Sequence, residues 1–332
     1  MIAAAEASAA RRNPILQELP LDEIRSALAG KGLWFDYGAA TLRVRSDSAA
    51  LASQIQSVYH SFPFVRDGSW ADLHVDIERP TSVRRWLAPY VNFHSDGRRP
   101  FEPFPADSPL PFLEWGGNWL IGQRLNDLLL LHAGAVERDG LALLLPALPG
   151  SGKSTLTAAL SLRGWRLLSD EFGAYDPETR VFRAMLKAVA LKNESIGVIR
   201  RFAPDARLGP SFPKTRKGTV AHLGPLPDAV ARRHECARPG AVILPRWVAG
   251  SPTRLKALPV DRVFTALAFN AFNYTTLGAA GFGGVVRLVR QCPAWTLTYS
   301  DLADAIGTIG RVWASVLEHH LETGVRGAEA WA

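Results

Sequence analysis

The sequence feature that most constrains the fold is a glycine-rich run that follows a short apolar segment. Residues 147–154 read Ala-Leu-Pro-Gly-Ser-Gly-Lys-Ser, which matches the pattern G-x-x-x-x-G-K-[ST] except that Ala147 replaces the first glycine. Gly150 and Gly152 allow successive backbone N–H groups to point inward and form a nest for an anion. Because the pattern requires a strand before it and a helix after it, it predicts a P-loop nucleotide-binding domain of the α/β class.

Each position in the run predicts a contact with a bound nucleoside triphosphate. Lys153 is expected to reach the β- and γ-phosphates, the Ser154 hydroxyl to ligate Mg²⁺, and Thr155 to lie beside the α-phosphate. We therefore predict ATP and Mg²⁺ as cofactors. The predicted nucleotide-binding residues are Gly150, Ser151, Gly152, Lys153, Ser154 and Thr155. The alternative is a chance glycine-rich turn before a helix.

Two adjacent acids, Asp170 and Glu171, end a short apolar strand after the predicted helix. A carboxylate at the end of a strand next to the glycine-rich loop can bind Mg²⁺ or orient an incoming hydroxyl group. Successive residues of a strand point to opposite faces, so the two acids need not share a role. The alternative is that either acid belongs to a turn or caps a helix.

The length of 332 residues predicts two domains. Residues 1–117 alternate short β-like runs with turn signals and predict a small α+β domain, and residues 118–332 predict the P-loop kinase-like domain. Within the second part, the apolar runs 131–137 and 141–146 flank Asp139-Gly140, which indicates a tight hairpin. Residues 260–273 and 301–320 predict helices, the latter with Asp301 as N-cap.

Composition limits the choice of partners and compartment. The net charge is +7, which favours acidic partners, and the basic residues are concentrated between Arg200 and Lys256. Few aromatic residues interleave them, so nucleic acid is not the expected partner. Two cysteines are too few for a disulfide framework or a structural zinc site. No apolar run is long enough for a membrane helix and the N-terminus does not resemble a signal peptide, so we predict a cytoplasmic protein.

From His132 to Glu171 the sequence resembles the catalytic domain of HPr kinase/phosphorylase: a strand with a histidine, a hairpin, a strand, a G-x-G-K-S loop, then R-G and an acidic pair. More specifically, the chain resembles the HPr-kinase-related kinase A family, including LKNESIGVIR at 191–200 and KGTVAHL at 217–223. The resemblance covers residues 131–299.

The resemblance implies roles for three residues. Asp170 aligns with an aspartate that acts as general base toward a serine hydroxyl, Glu171 with the acid beside it, and His132 with a histidine near the phosphates. Glu194 is a further candidate for the Mg²⁺ site, together with Ser154 and Glu171. On physical grounds alone, His132 fits a core position as well as a functional one, and Glu194 fits a surface position before a helix.

Two departures from the classical enzyme narrow what the resemblance implies. A glycine-rich signature with an arginine is replaced by residues 192–197, and an Asn-Phe-Arg loop corresponds to 273–275, which lacks the arginine. Phosphorolysis and the HPr protein as substrate are therefore not carried over. Two further segments are candidates for the acceptor side: the basic run 214–219, which can also be a solvated loop, and Asn270 and Asn273 with the glycines after them, which suggest a lid or a plain linker.

The function predicted from these residues is a kinase that transfers the γ-phosphoryl group of ATP to a serine-like hydroxyl of a protein or peptide, with Asp170, Lys153 and His132 as catalytic residues. By the resemblance, a ribosomal peptide is a candidate acceptor and a homo-oligomer is possible. Two alternatives remain open: a kinase of a small-molecule hydroxyl, and an ATPase that serves as a switch or scaffold for a partner protein.

Overall fold

The computed structural model describes residues 13–80 and 89–329. It is a mixed α/β structure that divides into two compact units, one formed by Met1–Asp36 and Ala40–Gly116 and the other by Tyr37–Ala39 and Gly117–Ala332. The N-terminal segment 1–12, which the sequence predicts not to be a signal peptide, lies outside the described residues. None of the helices within the described ranges is long and apolar enough to span a membrane.

The first unit is built on a five-stranded sheet in the order β1-β2-β3-β4-β5. Its strands and helices have these bounds: α1 Leu21–Ala29, β1 Leu33–Asp36, β2 Thr41–Ser46, α2 Ala49–Val58, β3 Leu73–Glu78, β4 Tyr90–His94, β5 Phe104–Pro105 and α3 Pro109–Arg124. The residues of α3 from Gly117 onward belong to the second unit. The predicted strands in 33–44, 71–77 and 91–104 are confirmed, and alternate side chains along β2 and β3 are buried, as a sheet with one face on the core requires.

The second unit contains an eight-stranded and a three-stranded sheet. Its strands are β6 Leu129–Arg138, β7 Leu141–Pro146, β8 Arg166–Ser169, β9 Phe172–Asp176, β10 Val181–Arg183, β11 Val189–Lys192, β12 Phe212–Thr215, β13 Gly218–Leu223, β14 Arg238–Trp247, β15 Arg254–Ala257 and β16 Ala294–Tyr299. The larger sheet has the order β10-β9-β6-β7-β14-β16-β15, with β8 also paired to β6, and the smaller one has the order β11-β13-β12.

The centre of the large sheet is the fully buried strand β7. It pairs antiparallel with β6 through the predicted hairpin, whose turn residues Asp139 and Gly140 both have positive φ. On its other side β7 runs parallel to β14, which in turn runs parallel to β16. The three parallel strands therefore end at one edge of the sheet, where ligands of open α/β sheets bind.

The helices described in the second unit follow in chain order: α4 Lys153–Ser161, α5 Glu194–Phe202, α6 Pro227–Ala231, α7 Val260–Phe269, α8 Tyr274–Leu277, α9 Ala279–Gln291 and α10 Leu302–Glu329. The helix α4 begins directly after the glycine-rich run, as predicted. The prediction of Asp301 as N-cap of α10 is also confirmed, since its Oδ1 accepts a hydrogen bond from Asp304 N at 2.9 Å.

The structure corrects the predicted lid after residue 260. Helix α7 ends at Phe269 rather than at Asn273, and the glycines at 281, 283 and 284 lie inside helix α9. A Cβ at Gly281 would meet Tyr274 O at 2.8 Å, and one at Gly284 would meet Leu129 Cδ2 at 3.1 Å. These two glycines therefore allow close packing of a helix, and the segment is neither a mobile lid nor a plain linker.

Candidate active site

The glycine-rich loop, residues 147–152, joins the end of β7 to the start of α4. Gly150 and Gly152 adopt φ angles of +84° and +89°, which glycine reaches without steric cost. Gly152 is the N-cap of α4 and has no side chain to occupy the first backbone N–H groups of the helix. The loop therefore presents free donors and the positive end of a helix dipole to the same edge of the sheet, which suits a phosphate group.

Residues from the neighbouring parallel strands hold this loop from one side. Trp247 N donates a hydrogen bond to Ser151 O at 3.0 Å, and Tyr299 Oη donates to Gly152 O at 3.3 Å. A Cβ on Gly152 would lie 2.5 Å from Tyr299 Oη, so the close approach requires glycine. Sequence reasoning did not identify Trp247 or Tyr299, although both follow apolar runs that are typical of strands parallel to β7.

Lys153 connects the loop to the acidic pair. Its side chain is 9% exposed, and Nζ donates a hydrogen bond to the carbonyl oxygen of Asp170 at 2.5 Å. The same nitrogen lies 3.6 Å from Glu171 Oε2. The structure thus brings together Lys153, Asp170 and Glu171, which are separated by 17 residues or more along the chain.

Asp170 and Glu171 lie in a two-residue connection between β8 and β9. Ser169 Oγ accepts hydrogen bonds from Glu171 N at 3.3 Å and Phe172 N at 3.0 Å, which fixes this connection. The strand β8 is itself held on β6 by a buried ion pair, with Arg166 Nε 2.6 Å from Glu137 Oε2. The acids are therefore positioned by backbone pairing and by Ser169, and neither caps a helix.

The carboxyl group of Asp170 is buried, with 2% of the residue exposed. Neither of its oxygens has a hydrogen-bond partner within the described part of the chain, and the nearby Ser154 hydroxyl does not reach hydrogen-bonding geometry. Burial and the charge of Glu171 raise the pKa of Asp170, and the charge of Lys153 offsets only part of this rise. A buried carboxylate with raised pKa and free oxygens is suited to accept a proton.

Glu171 is in the opposite electrostatic situation. Burial alone would raise its pKa, but the positive charge of Lys153 and the hydrogen bond from His132 outweigh burial and hold the pKa of Glu171 below its ordinary range. His132 Nε2 lies 3.2 Å from Glu171 Oε2. Two adjacent acids therefore differ in protonation, with Glu171 the ionised one, as is common where carboxylates have different roles.

His132 lies on β6 at the edge of the cluster and outside the apolar core. Its side chain is 29% exposed, and the ring of Phe272 packs edge-on against it at 5.4 Å between centroids. The backbone N–H of His132 donates to Asn270 O, so the segment 270–272 pairs with this part of β6. Of the two interpretations that the sequence left open, the structure favours a histidine at the site.

Two lysines that the sequence did not assign to the catalytic set also act on the acids. Lys192 lowers the pKa of both Asp170 and Glu171 by its charge, and burial together with the charges of Lys192 and Lys153 lowers the pKa of Lys217, although more than a third of Lys217 is exposed. The turn at Asn193 joins them, because Asn193 Oδ1 accepts from Thr219 N at 3.0 Å and Nδ2 donates to Lys217 O at 3.4 Å. The signal in the sequence was Gly218, which permits the hairpin that carries Lys217.

Glu194 is not brought to the acidic pair. It is exposed in the first turn of α5, and the described contacts include no hydrogen bond or ion pair between it and Asp170 or Glu171. Within the ranges that the structure describes, no three His, Cys, Asp or Glu side chains form a metal-binding group. Mg²⁺ in nucleotide sites is commonly bound by one or two carboxylates plus phosphates, so Ser154 with one of the two acids is a sufficient set of protein ligands.

The basic residues between Arg200 and Lys256 do not act as one surface. Arg232 forms ion pairs with three acids, Glu137 at 3.5 Å, Asp228 at 3.2 Å and Glu235 at 2.8 Å. By contrast, Lys217 belongs to the β12–β13 hairpin and acts on the acidic pair. The side chain of Lys214, part of the basic run 214–219, lies outside the described residues.

Comparisons with known proteins give one distant similarity. No protein-family model matches the sequence, and no curated protein matches it significantly. Among solved structures, the chain is similar to the Hpr(Ser) kinase/phosphatase from Coxiella burnetii, with 13% sequence identity and a TM-score of 0.23, over 59% of this chain and 98% of that chain. At this level the likeness supports no conclusion about activity, which has to rest on the residues of the site.

Proposed function

We propose that the chain is an ATP- and Mg²⁺-dependent kinase that transfers the γ-phosphoryl group to a serine-like hydroxyl of a protein or peptide. The observation that carries the proposal is the buried carboxyl group of Asp170, which has a raised pKa, has no hydrogen-bond partner among the described residues and lies at the loop that carries Lys153. A hydroxyl nucleophile must lose its proton, and Asp170 supplies a base at the place where phosphate would bind.

The residues present fit a bound nucleoside triphosphate. Gly150 and Gly152 shape the loop, the first N–H groups of α4 are free to donate, and Lys153 adds a positive charge. Ser151 Oγ is buried and likewise has no hydrogen-bond partner in the described part of the chain. Ser154 and Glu171 are the residues that would hold Mg²⁺, which when bound withdraws negative charge from the phosphate oxygens.

In this proposal each residue has one task. Asp170 takes the proton of the acceptor hydroxyl onto a carboxylate oxygen while the oxygen of that hydroxyl forms its bond to the γ-phosphorus and ADP leaves. Lys153, with Lys192 and Lys217, provides positive charge where negative charge spreads over the transferred group. His132 orients Glu171 through their 3.2 Å contact.

A protein or peptide acceptor fits the surroundings of His132 better than a small polar molecule. Phe272, which packs against His132, is 50% exposed, and Phe269 is 88% exposed at the end of α7. Exposed large apolar side chains beside a site mark a surface for a partner that has apolar side chains of its own. A small-molecule acceptor would leave these rings in water.

Phosphoryl transfer is tested by incubating the protein with γ-labelled ATP, Mg²⁺ and candidate serine-containing peptides. We expect Asp170→Asn to lose transfer by a factor of about 10² or more while retaining ATP binding, because the base is removed and the loop is kept. Lys153→Ala is expected to lose both transfer and most of the ATP affinity.

The outcome also separates the kinase from a nucleotide-dependent switch. If wild-type protein passes label only to water, and Asp170→Asn leaves partner binding intact, the kinase proposal is wrong and a switch or scaffold is favoured. Glu194→Gln is a matched control: it is an exposed acid on α5, and we expect it to leave transfer within about twofold.

A further inference from the structure

One large aromatic side chain at the glycine-rich loop has no part in the proposed transfer chemistry. Trp247 is the last residue of β14, which lies next to β7 and parallel to it, so both strands end at the edge that carries the loop. Its backbone N–H donates to Ser151 O in the loop at 3.0 Å, yet the residue is 49% exposed. Tryptophan is usually well buried, so a half-exposed indole at a ligand-binding edge calls for a partner.

The indole is held in place without any ligand. Trp247 Nε1 donates a hydrogen bond to Ser300 O at 3.3 Å, and the Trp247 backbone lies in register with Tyr299 of the neighbouring parallel strand β16. Tyr299 in turn donates its hydroxyl hydrogen to Gly152 O. Because these bonds fix the side chain relative to the loop, a planar group that stacks on the indole would lose little further freedom of the protein.

The position of Trp247 in the sheet gives the loop two distinct sides. The strand β7 lies between β6 and β14 in the sheet. On the β6 side are His132, Glu171 and the carboxyl group of Asp170, which the proposed function assigns to the terminal phosphate. The β14 side, which carries Trp247, is therefore left for the opposite end of a nucleotide, its nucleoside.

We infer that Trp247 is the stacking platform for the nucleobase of the bound nucleotide. The inference rests on the proposed function in one respect: the loop must bind a triphosphate. Stacking on an aromatic ring is available to every nucleobase because each has a π-face, and it adds affinity without any contact to the phosphates. The affinity that depends on Trp247 is therefore separable from the affinity that depends on Lys153.

The test compares two ligands by isothermal titration calorimetry on the full chain with Mg²⁺: ATP, which has a base, and inorganic tripolyphosphate, which has none. Trp247→Ala and Trp247→Leu are expected to weaken ATP binding about tenfold or more, as loss of a base-stacking ring does, and to leave tripolyphosphate binding within about twofold. Trp247→Phe is expected to retain most of the ATP affinity. Trp70→Ala removes a 73%-exposed tryptophan of the first unit and should change neither ligand.

Three results would overturn the inference, and they are distinguishable. If the wild type binds ATP no more tightly than tripolyphosphate, or Trp247→Leu binds ATP like the wild type, the loop binds phosphate but Trp247 does not stack a base, and the proposed function stands. If Trp247→Leu weakens both ligands equally, Trp247 only supports the loop. If the wild type binds neither ligand, the proposed function fails and the inference fails with it. Tripolyphosphate binding also reports that each variant has a folded loop.

Discussion

At the scale of single residues, Asp170 and Glu171 show how neighbours with the same chemistry acquire opposite properties. Both carboxyl groups lie near Lys153, but only Glu171 has a direct partner, His132, for its oxygens. Asp170 is more deeply buried and its oxygens have no hydrogen-bond partner among the described residues. The pKa of Asp170 is therefore raised and that of Glu171 is lowered.

These opposite pKa shifts predict opposite effects of two isosteric substitutions on stability. The raised pKa of Asp170 means that its ionisation costs folding free energy as the pH rises above the unfolded value of 3.8, so Asp170→Asn should stabilise the protein at pH 8 and less so at pH 4. The lowered pKa of Glu171 stabilises the fold above the unfolded value of 4.5 and this stabilisation is lost as the pH falls below it, so Glu171→Gln should destabilise at pH 8 and less so at pH 4.

Urea unfolding of the wild type and both variants at the two pH values measures these effects. Each variant is the control for the other, because the two substitutions change the same atoms at adjacent positions. A change of the same sign in both variants at pH 8 would contradict the electrostatic account. We also expect the acid limb of the transfer rate to lie above the ordinary pKa of an aspartate, since Asp170 must be ionised to act as base.

At the scale of elements, the start of α4 is held in place by close packing of the helix on β6. Gly134 of β6 faces Thr157 of α4, and a Cβ added at Gly134 would clash with Thr157 Oγ1. Thr157 is fully buried, and Oγ1 is among the described buried atoms without a hydrogen-bond partner. This packing determines how far the helix, and with it Lys153, stands from the strand that carries His132.

Gly134→Ala is expected to destabilise the protein by about 1–3 kcal/mol, because overpacking forces the helix away from the sheet. Thr157→Ala removes the atom that the new methyl group meets, so the double variant should be more stable than the sum of the two single effects predicts, by about 0.5 kcal/mol or more. Chemical denaturation of the four proteins measures the coupling. Gly310→Ala in α10, where a Cβ meets nothing within 4 Å, is the control and should be neutral or stabilising. Strict additivity would show that the contact does not constrain α4.

At the scale of the whole molecule, Asn273 connects segments that are far apart in the chain. Its Nδ2 donates to Leu125 O at 3.1 Å and Leu128 O at 2.8 Å, and its Oδ1 accepts from Leu130 N at 3.0 Å. The residue is 2% exposed. It anchors the segment 270–273 beside the start of β6, where Phe272 packs on His132.

Asn273→Ala should therefore destabilise the protein by about 2–5 kcal/mol, since it leaves one buried donor and two buried acceptors without partners. Asn273→Asp should be at least as damaging, because a carboxylate cannot donate to the two carbonyl oxygens. Asn270→Ala is a matched control: its side chain bonds only to Ala266 O at the end of the same helix, and we expect a change below about 1 kcal/mol. Thermal and urea unfolding give the comparison. An equal loss at both positions would contradict the anchoring role of Asn273.

Much of the local structure was predictable because short-range chemistry decides it. The Asp139-Gly140 turn, the buried strand β7, the glycine-rich loop and the cap at Asp301 each depend on residues within a few positions of one another. The same holds for the assignment of Lys153 and Ser154 to the start of a helix. For these features, composition and spacing determine the backbone conformation directly.

The tertiary structure alone decided which distant residues share the site and what their charges do. The sequence placed Glu194 as near the site as Glu171, and it placed the glycines after Asn273 in a lid. Sheet order puts β6 beside β7 and so brings His132 to Glu171, whereas it leaves Glu194 exposed on α5 and buries Asn273. Parallel pairing with β14 brings Trp247 to the loop. Long-range pairing and burial set these contacts and the pKa values of the two acids, and neither quantity depends on spacing along the chain.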